Sequence, residues 1–289
     1  MVYILTVSHN RRATTVAFAE QLIKQSEQNF HLILVDDGST DGTGDEVSNL
    51  LISHQLTLIR GNGKFYWGGG LHAGFQFLKH KRQLNPEDVV LICNDDIVFD
   101  SLFLEKGKSA LERAGRDSLV HAVQVDTMLD STHHGYHIDW KLGGYVITPA
   151  KTNINTLDTR ALWLSLETFM ALKGFYPRLL PHYCSDWEFT HRAYRRGYKL
   201  ISDDSITIAS DMHPKKKDQP QNVSSFSKAQ EYYWKRKSPY DIYSIMVFAL
   251  LSAPFPKNLG IFSNYAFKAM RIFSFVIYQD LRGGKISPE

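Results

Sequence analysis

The sequence has few cysteines, no large excess of charge of either sign, and no uncharged hydrophobic run of the roughly 20 residues that a membrane span needs. Its two cysteines, Cys93 and Cys184, form no CxxC pair and no cluster with histidine. This argues against a disulfide framework and a zinc site, and it favours a reducing compartment. The formal net charge is only +3, so no global positive field indicates nucleic-acid binding.

The composition is typical of a soluble folded protein. Hydrophobic residues make up 43% and charged residues 22% of the 289 residues, a chain long enough to close a large core. The first residues, VYILTVS, are apolar and lack both a basic leader and a cleavage site, so we expect a strand there and not a signal peptide. Together with the cysteine count, this favours a cytoplasmic protein.

Short apolar runs alternate with helix-length segments through the first part of the chain. The expected strands are 2–7, 31–35, 56–59, 88–93 and one that begins at 161. The expected helices are 14–25, one up to Leu51, one from about Gly70 and one at 189–196. This βαβα order predicts an α/β fold with a mostly parallel, Rossmann-like central sheet flanked by helices.

Polar groups follow three of these strands, at the edge where parallel sheets bind ligands. They are DDGS at 36–39, GNG at 61–63 and NDD at 94–96. A carboxylate of DDGS can accept a hydrogen bond from a ribose hydroxyl or a base N–H. The same four residues are also typical of a turn that caps a helix. Asp95 and Asp96 follow an apolar strand, where they need a positive charge such as Mg²⁺ or Mn²⁺, unless they form a solvated turn.

Three motifs follow one another along the chain: VDDGSTDGT at 35–43, NDD at 94–96, and Asp186-Trp187-Glu188 followed by Arg192 and Gly197. In this order, with NDD in the place of a DxD motif, they resemble the inverting glycosyltransferases of family 2, which have the GT-A fold. The resemblance spans about residues 1–215. It implies a GT-A catalytic domain over 1–214, with a nucleotide-binding half at about 1–100 and an acceptor half at about 101–214.

The resemblance also implies roles for individual residues. The nucleotide and the donor sugar would contact Val7, Asp37, Asn62, Trp67, Gly68, Gly69, Asn94 and Asp95. A divalent cation, Mn²⁺ or Mg²⁺, would be held by Asp96 and His213. Asp186 would be the catalytic base, with Ser185 in the place of the usual Glu. The acceptor would contact His182, Trp187 and Glu188, while the spacing of Glu188 and Arg192 favours an i,i+4 ion pair.

The last part of the chain, 215–289, is expected to be a basic, amphipathic helical extension. From Asp211 to Glu289 there are 12 Lys or Arg against 6 Asp or Glu. The apolar stretch 242–255 is too short to span a bilayer, and in 259–278 two basic residues interrupt apolar residues at helical spacing, as in an amphipathic helix. The sequence leaves open which surface this extension contacts: an anionic membrane, the catalytic domain, or a second copy of the chain in a homodimer.

These observations predict a metal-dependent inverting glycosyltransferase that moves a sugar from a UDP- or dTDP-sugar to a hydroxyl of a glycan or lipid-linked oligosaccharide. The resemblance implies bacterial surface polysaccharide synthesis, such as O-antigen, lipopolysaccharide or capsule, at the inner face of the cytoplasmic membrane. Two alternatives stay open. One is a catalytically silent sugar-nucleotide-binding assembly subunit, and the other is a nucleotidyltransferase, although the N-terminus has no basic glycine-rich triphosphate loop.

Overall fold

The structure is a computed structural model that describes residues 1–81, 84–126, 131–209, 232–236, 238 and 240–281. The strands are β1 (Val2–Ser8), β2 (Phe30–Asp36), β3 (Leu56–Arg60), β4 (Val89–Cys93), β5 (Ser118–Asp126), β6 (Ser131–His133), β7 (Tyr136–Lys141), β8 (Gly144–Pro149), β9 (Ala161–Ser165) and β10 (Lys199–Ala209). The helices are α1 (Arg12–Ile23), α2 (Thr43–Leu50), α3 (Tyr66–His80), α4 (Phe103–Ala114), α5 (Leu166–Leu172), α6 (Ser185–Arg195), α7 (Ile242–Ser252) and α8 (Lys257–Leu281).

The central sheet has the strand order β10-β5-β9-β4-β1-β2-β3, and β6 pairs with β5. Strands β1 to β4 are parallel to their neighbours in this group, and β5 is parallel to β10, whereas β9 runs antiparallel between β4 and β5. The predicted α/β class with a mostly parallel sheet is therefore confirmed. Strands β7 and β8 form a separate two-stranded sheet.

Two hydrophobic clusters cover the two faces of the sheet. Alternate residues of β1 point to opposite faces, so Val2 and Ile4 belong to one cluster and Tyr3, Leu5 and Val7 to the other. Every residue of β1 and of β2 is buried. Continuous burial of this kind is typical of a parallel strand that is covered by helices on both faces.

Helix α3 begins at Tyr66, four residues before the expected start, so Gly68, Gly69 and Gly70 lie in its first turns. A Cβ at Gly70 would come within 2.7 Å of the Val7 side chain. A Cβ at Gly74, one turn later, would overlap the Leu5 side chain. These glycines therefore allow the helix to lie directly on β1, which sequence periodicity did not predict.

The chain divides into two compact units. The first consists of Met1–Ile138, Ile147–Pro181 and Ser185–Met212, and the second of Asp139–Val146, His182–Cys184 and His213–Glu289. The boundary expected at 214/215 lies outside the described residues and stays a prediction. Within the second unit, the Phe248 ring of α7 contacts the Trp140 and Tyr145 rings, and Lys257 donates a hydrogen bond to the Trp140 carbonyl.

The two helices at the end of the chain agree with the expected helical extension. Asp241 caps α7, since its carboxylate accepts hydrogen bonds from the Ser244 amide and hydroxyl. Helix α8 covers the segment expected to be amphipathic. No helix in the described part of the chain is both long and apolar enough to cross a membrane.

Candidate active site

The polar motifs meet at the edge of the sheet formed by the carboxyl ends of β1, β2, β3 and β4. In this register Ser8 of β1 pairs with Asp36 of β2, and Asp36 pairs with Arg60 of β3. Val7 lies one residue before the end of β1 and is buried. The structure thus brings DDGS, GNG and NDD together, because parallel strands end at a common edge.

Asp37 is buried and fixes the loop that follows β3. Its Oδ1 accepts a hydrogen bond from the Gly63 amide at 2.9 Å, and its Oδ2 accepts from the Phe65 and Tyr66 amides, both at 2.9 Å. Within this loop, the Asn62 side chain accepts from the Lys64 amide at 3.1 Å. A carboxylate has about four acceptor positions, so one remains for a ligand beside the three backbone bonds.

Asp95 and Asp96 share one cation, the guanidinium of Arg11. Its NH1 lies 2.9 Å from Asp95 Oδ1, and its NH2 lies 2.8 Å from Asp96 Oδ2. Asp95 also accepts from the Thr15 hydroxyl at 2.7 Å. Burial raises the pKa of Asp95, although Arg11 and Thr15 oppose this effect. The sequence predicted a positive charge beside these two carboxylates but did not identify Arg11, which follows β1 at the same edge of the sheet.

Asp186 lies in the first turn of α6, which begins at Ser185 and not at Phe189 as expected. Its Oδ1 accepts a hydrogen bond from the Trp187 amide at 2.9 Å. Burial, and then the negative charge of Asp158, raise the pKa of Asp186 to about 6, which the hydrogen bond only partly offsets. The residue as a whole is half-buried. Asp186 is therefore ionised at neutral pH and still basic enough to accept a proton.

Asp158 is the centre of a buried polar network that no motif in the sequence indicated. Its carboxylate lies 3.0 Å from His121 Nε2 and accepts from the Gln124 side chain at 3.0 and 2.8 Å. The Arg160 amide donates to it at 3.1 Å, and the Arg160 guanidinium donates to Gln124. Burial alone would raise the pKa of Asp158, but His121 and Arg160 lower it well below its usual range. Asp158 is thus a fixed buried anion.

The segment around Asp158 connects the other parts of the site. The Trp67 indole donates a hydrogen bond to the Thr159 hydroxyl at 3.0 Å. The Asn94 amide donates to the Arg160 carbonyl at 3.1 Å. Thr159 and Arg160 therefore join the start of α3 to the NDD motif, and the neighbouring Asp158 is close enough to Asp186 to raise its pKa.

Two backbone hydrogen bonds hold Gly68 and Gly69, at the start of α3, to the segment before α6. Their amides donate to the Pro181 carbonyl at 2.8 and 3.2 Å. A Cβ at Gly68 would lie 2.6 Å from the Leu180 carbonyl oxygen and 2.7 Å from Ser185 Cβ. Gly68 therefore allows the start of α3 to pack closely against the first residue of α6, next to Asp186.

Residues 3–166 match the sequence family described as "Glycosyl transferase family 2". The chain belongs to this family. No curated protein matches it in sequence. The family resemblance predicted from the motifs is therefore confirmed by the match over more than half of the chain.

Several solved structures are similar to this family 2 chain. The mannosyltransferase PcManGT from Pyrobaculum calidifontis, in complex with GDP-Man and Mn²⁺, is 15% identical with a TM-score of 0.53, over 74% of this chain and 57% of that one. GalNAc-T7 with UDP, GalNAc and Mn²⁺ is 12% identical with a TM-score of 0.58, over 100% of this chain and 59% of that one. TarS 1–349 from S. aureus, in complex with UDP-GlcNAc, is 15% identical with a TM-score of 0.58, over 92% of this chain and 72% of that one.

These similarities concern the fold, and they confirm the predicted GT-A architecture of this family 2 chain. At 12 to 15% identity, they do not extend to the donor or the acceptor. The chain spans somewhat less than two thirds of the length of PcManGT and of GalNAc-T7.

The acceptor residues predicted for this family 2 chain lie in different surroundings. The Glu188 carboxylate is buried and pairs with Arg192 at 2.8 Å, so the expected i,i+4 ion pair is confirmed and Glu188 is placed in the interior. The Trp187 ring lies 5.8 Å from the Tyr136 ring, measured between centroids. His182 belongs to the second unit, where its ring contacts Tyr183. Its acceptor role stays a prediction.

The residues that could hold a divalent cation are carboxylates. Among the described residues, no group of three or more His, Cys, Asp or Glu side chains is arranged to hold a metal ion. The predicted ligand His213 lies outside the described residues. Asp96 is the exposed carboxylate of the NDD motif, and with Asp95 it already presents its oxygens to the cationic Arg11. Carboxylate oxygens are the ligands that Mg²⁺ and Mn²⁺ prefer, so the donor chemistry fits.

Proposed function

We propose that this protein is a metal-dependent inverting glycosyltransferase, with a UDP- or dTDP-sugar as donor and a hydroxyl of a glycan or lipid-linked oligosaccharide as acceptor. The observation that carries the proposal is the placement of Asp186. Asp186 is a half-buried residue, and the pKa of its carboxyl group is raised to about 6. Asp158 contributes to this shift through its charge, and the next two residues, Thr159 and Arg160, bond to Trp67 and to the NDD motif. This is where a base and a nucleotide site must meet for sugar transfer.

Asp186 performs the proton transfer in this proposal. The acceptor hydroxyl loses its proton to Asp186 as its oxygen forms a bond to the anomeric carbon, while the bond from that carbon to the diphosphate breaks. Attack on the face opposite the leaving group inverts the anomeric configuration. Asp158 is not a base, since it is buried and its pKa is lowered. Its fixed charge instead helps to raise the basicity of Asp186.

The nucleotide and the donor sugar occupy the edge of the sheet in this proposal. Asp37 uses its remaining acceptor position for the base, and it keeps the loop with Asn62 in place through its three backbone bonds. Val7 and Asp95 line the end of the sheet beside the ribose and the sugar. Asp96, with His213, would hold the Mn²⁺ or Mg²⁺ whose charge offsets that of the departing diphosphate.

The start of α3 and the NDD motif complete the proposed donor site. Trp67 is oriented by its hydrogen bond to Thr159, and Gly68 and Gly69 keep the helix start close to α6. Asn94 lies beside Arg160. The similar structures support a nucleotide-sugar donor, because they contain GDP-Man with Mn²⁺, UDP and GalNAc with Mn²⁺, and UDP-GlcNAc.

The test is a thermal-shift panel of UDP, dTDP, GDP and CMP, each with and without Mn²⁺ or Mg²⁺. A ligand at 100 times its Kd stabilises the native state by about 2.7 kcal/mol. We expect a shift for one diphosphate that requires metal and disappears in Asp96→Ala. The matched control Asp117→Ala removes an exposed carboxylate that pairs with Lys199 and should keep the shift. The absence of a shift with every nucleotide would contradict the proposal.

A second assay separates the enzyme from the silent assembly subunit. The nucleotide sugar chosen by the panel is incubated with the protein, and released nucleoside diphosphate is measured with and without acceptor glycans. We expect release in the wild type and none in Asp186→Ala, with nucleotide binding retained. Binding without release in the wild type would favour the silent subunit. The thermal-shift panel is repeated with the corresponding nucleoside triphosphates, and a shift with triphosphates alone would favour a nucleotidyltransferase.

The exposed apolar face of α8 favours a membrane surface as the partner of the second unit. Leu259, Met270 and Phe273 are about half exposed or more, and they recur at helical spacing. Lys268 and Arg271 are exposed on the same helix, and no Asp or Glu occurs from 257 to 279. This combination suits an anionic lipid surface, which is where lipid-linked acceptors of bacterial polysaccharide synthesis would lie.

Sedimentation with lipid vesicles tests this partner. We expect binding to vesicles rich in anionic lipid, weaker binding to neutral vesicles, and loss of binding in Met270→Gln/Phe273→Gln. Each lysine or arginine near an anionic surface contributes about 1 kcal/mol, so added salt should weaken binding. A homodimer that these substitutions dissociate, without vesicle binding by the wild type, would identify a second copy as the partner instead.

A further inference from the structure

The Arg11 guanidinium lies where a divalent cation would bind. It bridges the NDD carboxylates, with NH1 2.9 Å from Asp95 Oδ1 and NH2 2.8 Å from Asp96 Oδ2. The two halves of this bridge have different surroundings. The Asp95 side chain is 1% exposed, whereas the side chains of Asp96 and Arg11 are 44% and 39% exposed. Water can therefore replace the bond to Asp96 more easily than the buried bond to Asp95.

The backbone of Arg11 is fixed to the DDGS motif, so only its side chain is free to rearrange. Asn10 adopts a left-handed conformation with φ 51°. Its amide donates to the Ser39 hydroxyl at 2.9 Å, and its side chain accepts from the Thr40 amide at 2.8 Å. On the other side, the Arg12 amide donates to the Asp41 carboxylate at 3.0 Å. The Arg11 side chain thus extends from a backbone held by residues 39–41 to Asp96, the predicted cation ligand.

We propose that Arg11 is a displaceable counter-ion, which neutralises Asp96 in the ligand-free protein and must release it before a divalent cation can bind. The inference rests on the proposed function, because it assumes that Asp96 is the cation ligand. A guanidinium and a metal ion at the same carboxylate oxygen would repel each other, so the two compete. Arg11 therefore weakens the binding of metal in the absence of nucleotide.

The released guanidinium has a second partner when a nucleoside diphosphate is present. Arginine binds phosphate oxygens with two parallel N–H donors, and the diphosphate lies beside Asp96 in the proposed function. Arg11 can then exchange the Asp96 carboxylate for phosphate without losing a charge-assisted hydrogen bond. Metal and nucleotide should therefore strengthen each other's binding, and by linkage the factor is the same in both directions.

The experiment measures Mn²⁺ binding alone, by the loss of the free-ion electron paramagnetic resonance signal, and then with saturating UDP. We expect Arg11→Gln to bind Mn²⁺ roughly tenfold or more tightly than the wild type without UDP, since a competing charge-assisted bond is gone. UDP should tighten Mn²⁺ binding in the wild type and have much less effect in Arg11→Gln. The matched control is Arg12→Gln, since Arg12 pairs with exposed Glu46 at 3.3 Å and not with the NDD motif.

Each outcome separates the inference from the function on which it rests. Equal Mn²⁺ affinity in Arg11→Gln and Arg12→Gln would overturn the inference, because general loss of positive charge would then explain any change. Mn²⁺ binding that Asp96→Ala leaves unchanged in every background would overturn the proposed metal site as well. If Arg11→Gln does not fold, Arg11→Lys is measured instead. Lysine keeps the charge but lacks the two parallel N–H donors with which Arg11 bridges the carboxylates, so Arg11→Lys should hold Asp96 less firmly and bind Mn²⁺ more tightly than the wild type, and an unchanged affinity would refute the counter-ion role.

Discussion

Replacement of Asp186 by Asn should stabilise the protein more at pH 8 than at pH 5. In the folded state the pKa of Asp186 is raised to about 6 by burial and by Asp158, whereas it is about 3.9 in an unfolded chain. At a pH between these two values, the folded state therefore holds a proton that the unfolded state has lost. Binding of this proton stabilises the folded state, and the stabilisation disappears as the pH rises through 6. The asparagine side chain does not titrate, so the variant escapes this loss.

The magnitude follows from the difference between the two pKa values. Ionising the folded carboxyl group costs at most about 3 kcal/mol in full, and the part lost between pH 5 and pH 8 is about 1.4 kcal/mol. Partial exposure of Asp186 to water makes these figures upper limits. Between pH 5 and pH 8 the free energy of unfolding of the wild type should thus fall by up to about 1.4 kcal/mol relative to that of Asp186→Asn, because the other groups titrate equally in both proteins.

Urea unfolding at pH 5, 6, 7 and 8 measures this difference directly. The control Asp117→Asn removes the same formal charge at an exposed site. We expect the free energy of unfolding of Asp186→Asn, minus that of the wild type, to increase steadily with pH, and the same difference for Asp117→Asn to stay nearly constant. A difference for Asp186→Asn that does not change with pH would refute the raised pKa, and with it the reasoning that makes Asp186 the base.

Two further substitutions test packing and loop positioning. Gly74→Ala should lower the free energy of unfolding in urea by about 1–3 kcal/mol, because the new methyl group would overlap the Leu5 side chain. The control Gly144→Ala should change it little, because no atom lies within 4 Å of the added Cβ. Equal effects of the two substitutions would refute the close contact of α3 with β1. Asp37→Asn should accelerate hydrogen exchange of the Gly63, Phe65 and Tyr66 amides and weaken UDP binding, because these amides lose a charged acceptor. Unchanged exchange there would show that Asp37 does not hold the loop.

The sequence predicted β1 to β4 and β9 because local patterns carry that information, whereas β5, β6 and β10 of the same sheet were not predicted. Apolar runs of four to six residues became β1 to β4, and the helices between them followed from their periodicity. The start of α3 was placed too late, because three consecutive glycines suggest a loop when only the sequence is considered. In the structure they are helical, since the absence of side chains lets α3 pack against β1 and α6.

The site was predictable only where its residues belong to motifs. DDGS and NDD stand at strand ends that the sequence indicates, so their convergence could be expected from parallel topology, whereas Asp186 was identified through the family resemblance. Arg11 and Asp158 could not be found in this way. Arg11 lies 84 residues from Asp95 in sequence, and Asp158 precedes an antiparallel strand, β9, in a segment without a recognisable pattern.

The sequence by itself determined the α/β class, the family and the set of carboxylates that can carry out the chemistry. Periodicity fixes which residues are buried, and short motifs at strand ends fix which groups reach the ligand edge. The tertiary structure alone decided the charge state and partners of those carboxylates. Burial next to Asp158 raises the pKa of Asp186, and Arg11 forms ion pairs with both Asp95 and Asp96. Electrostatic interactions depend on distance in space and on exposure to water, and neither quantity is written in the order of the residues.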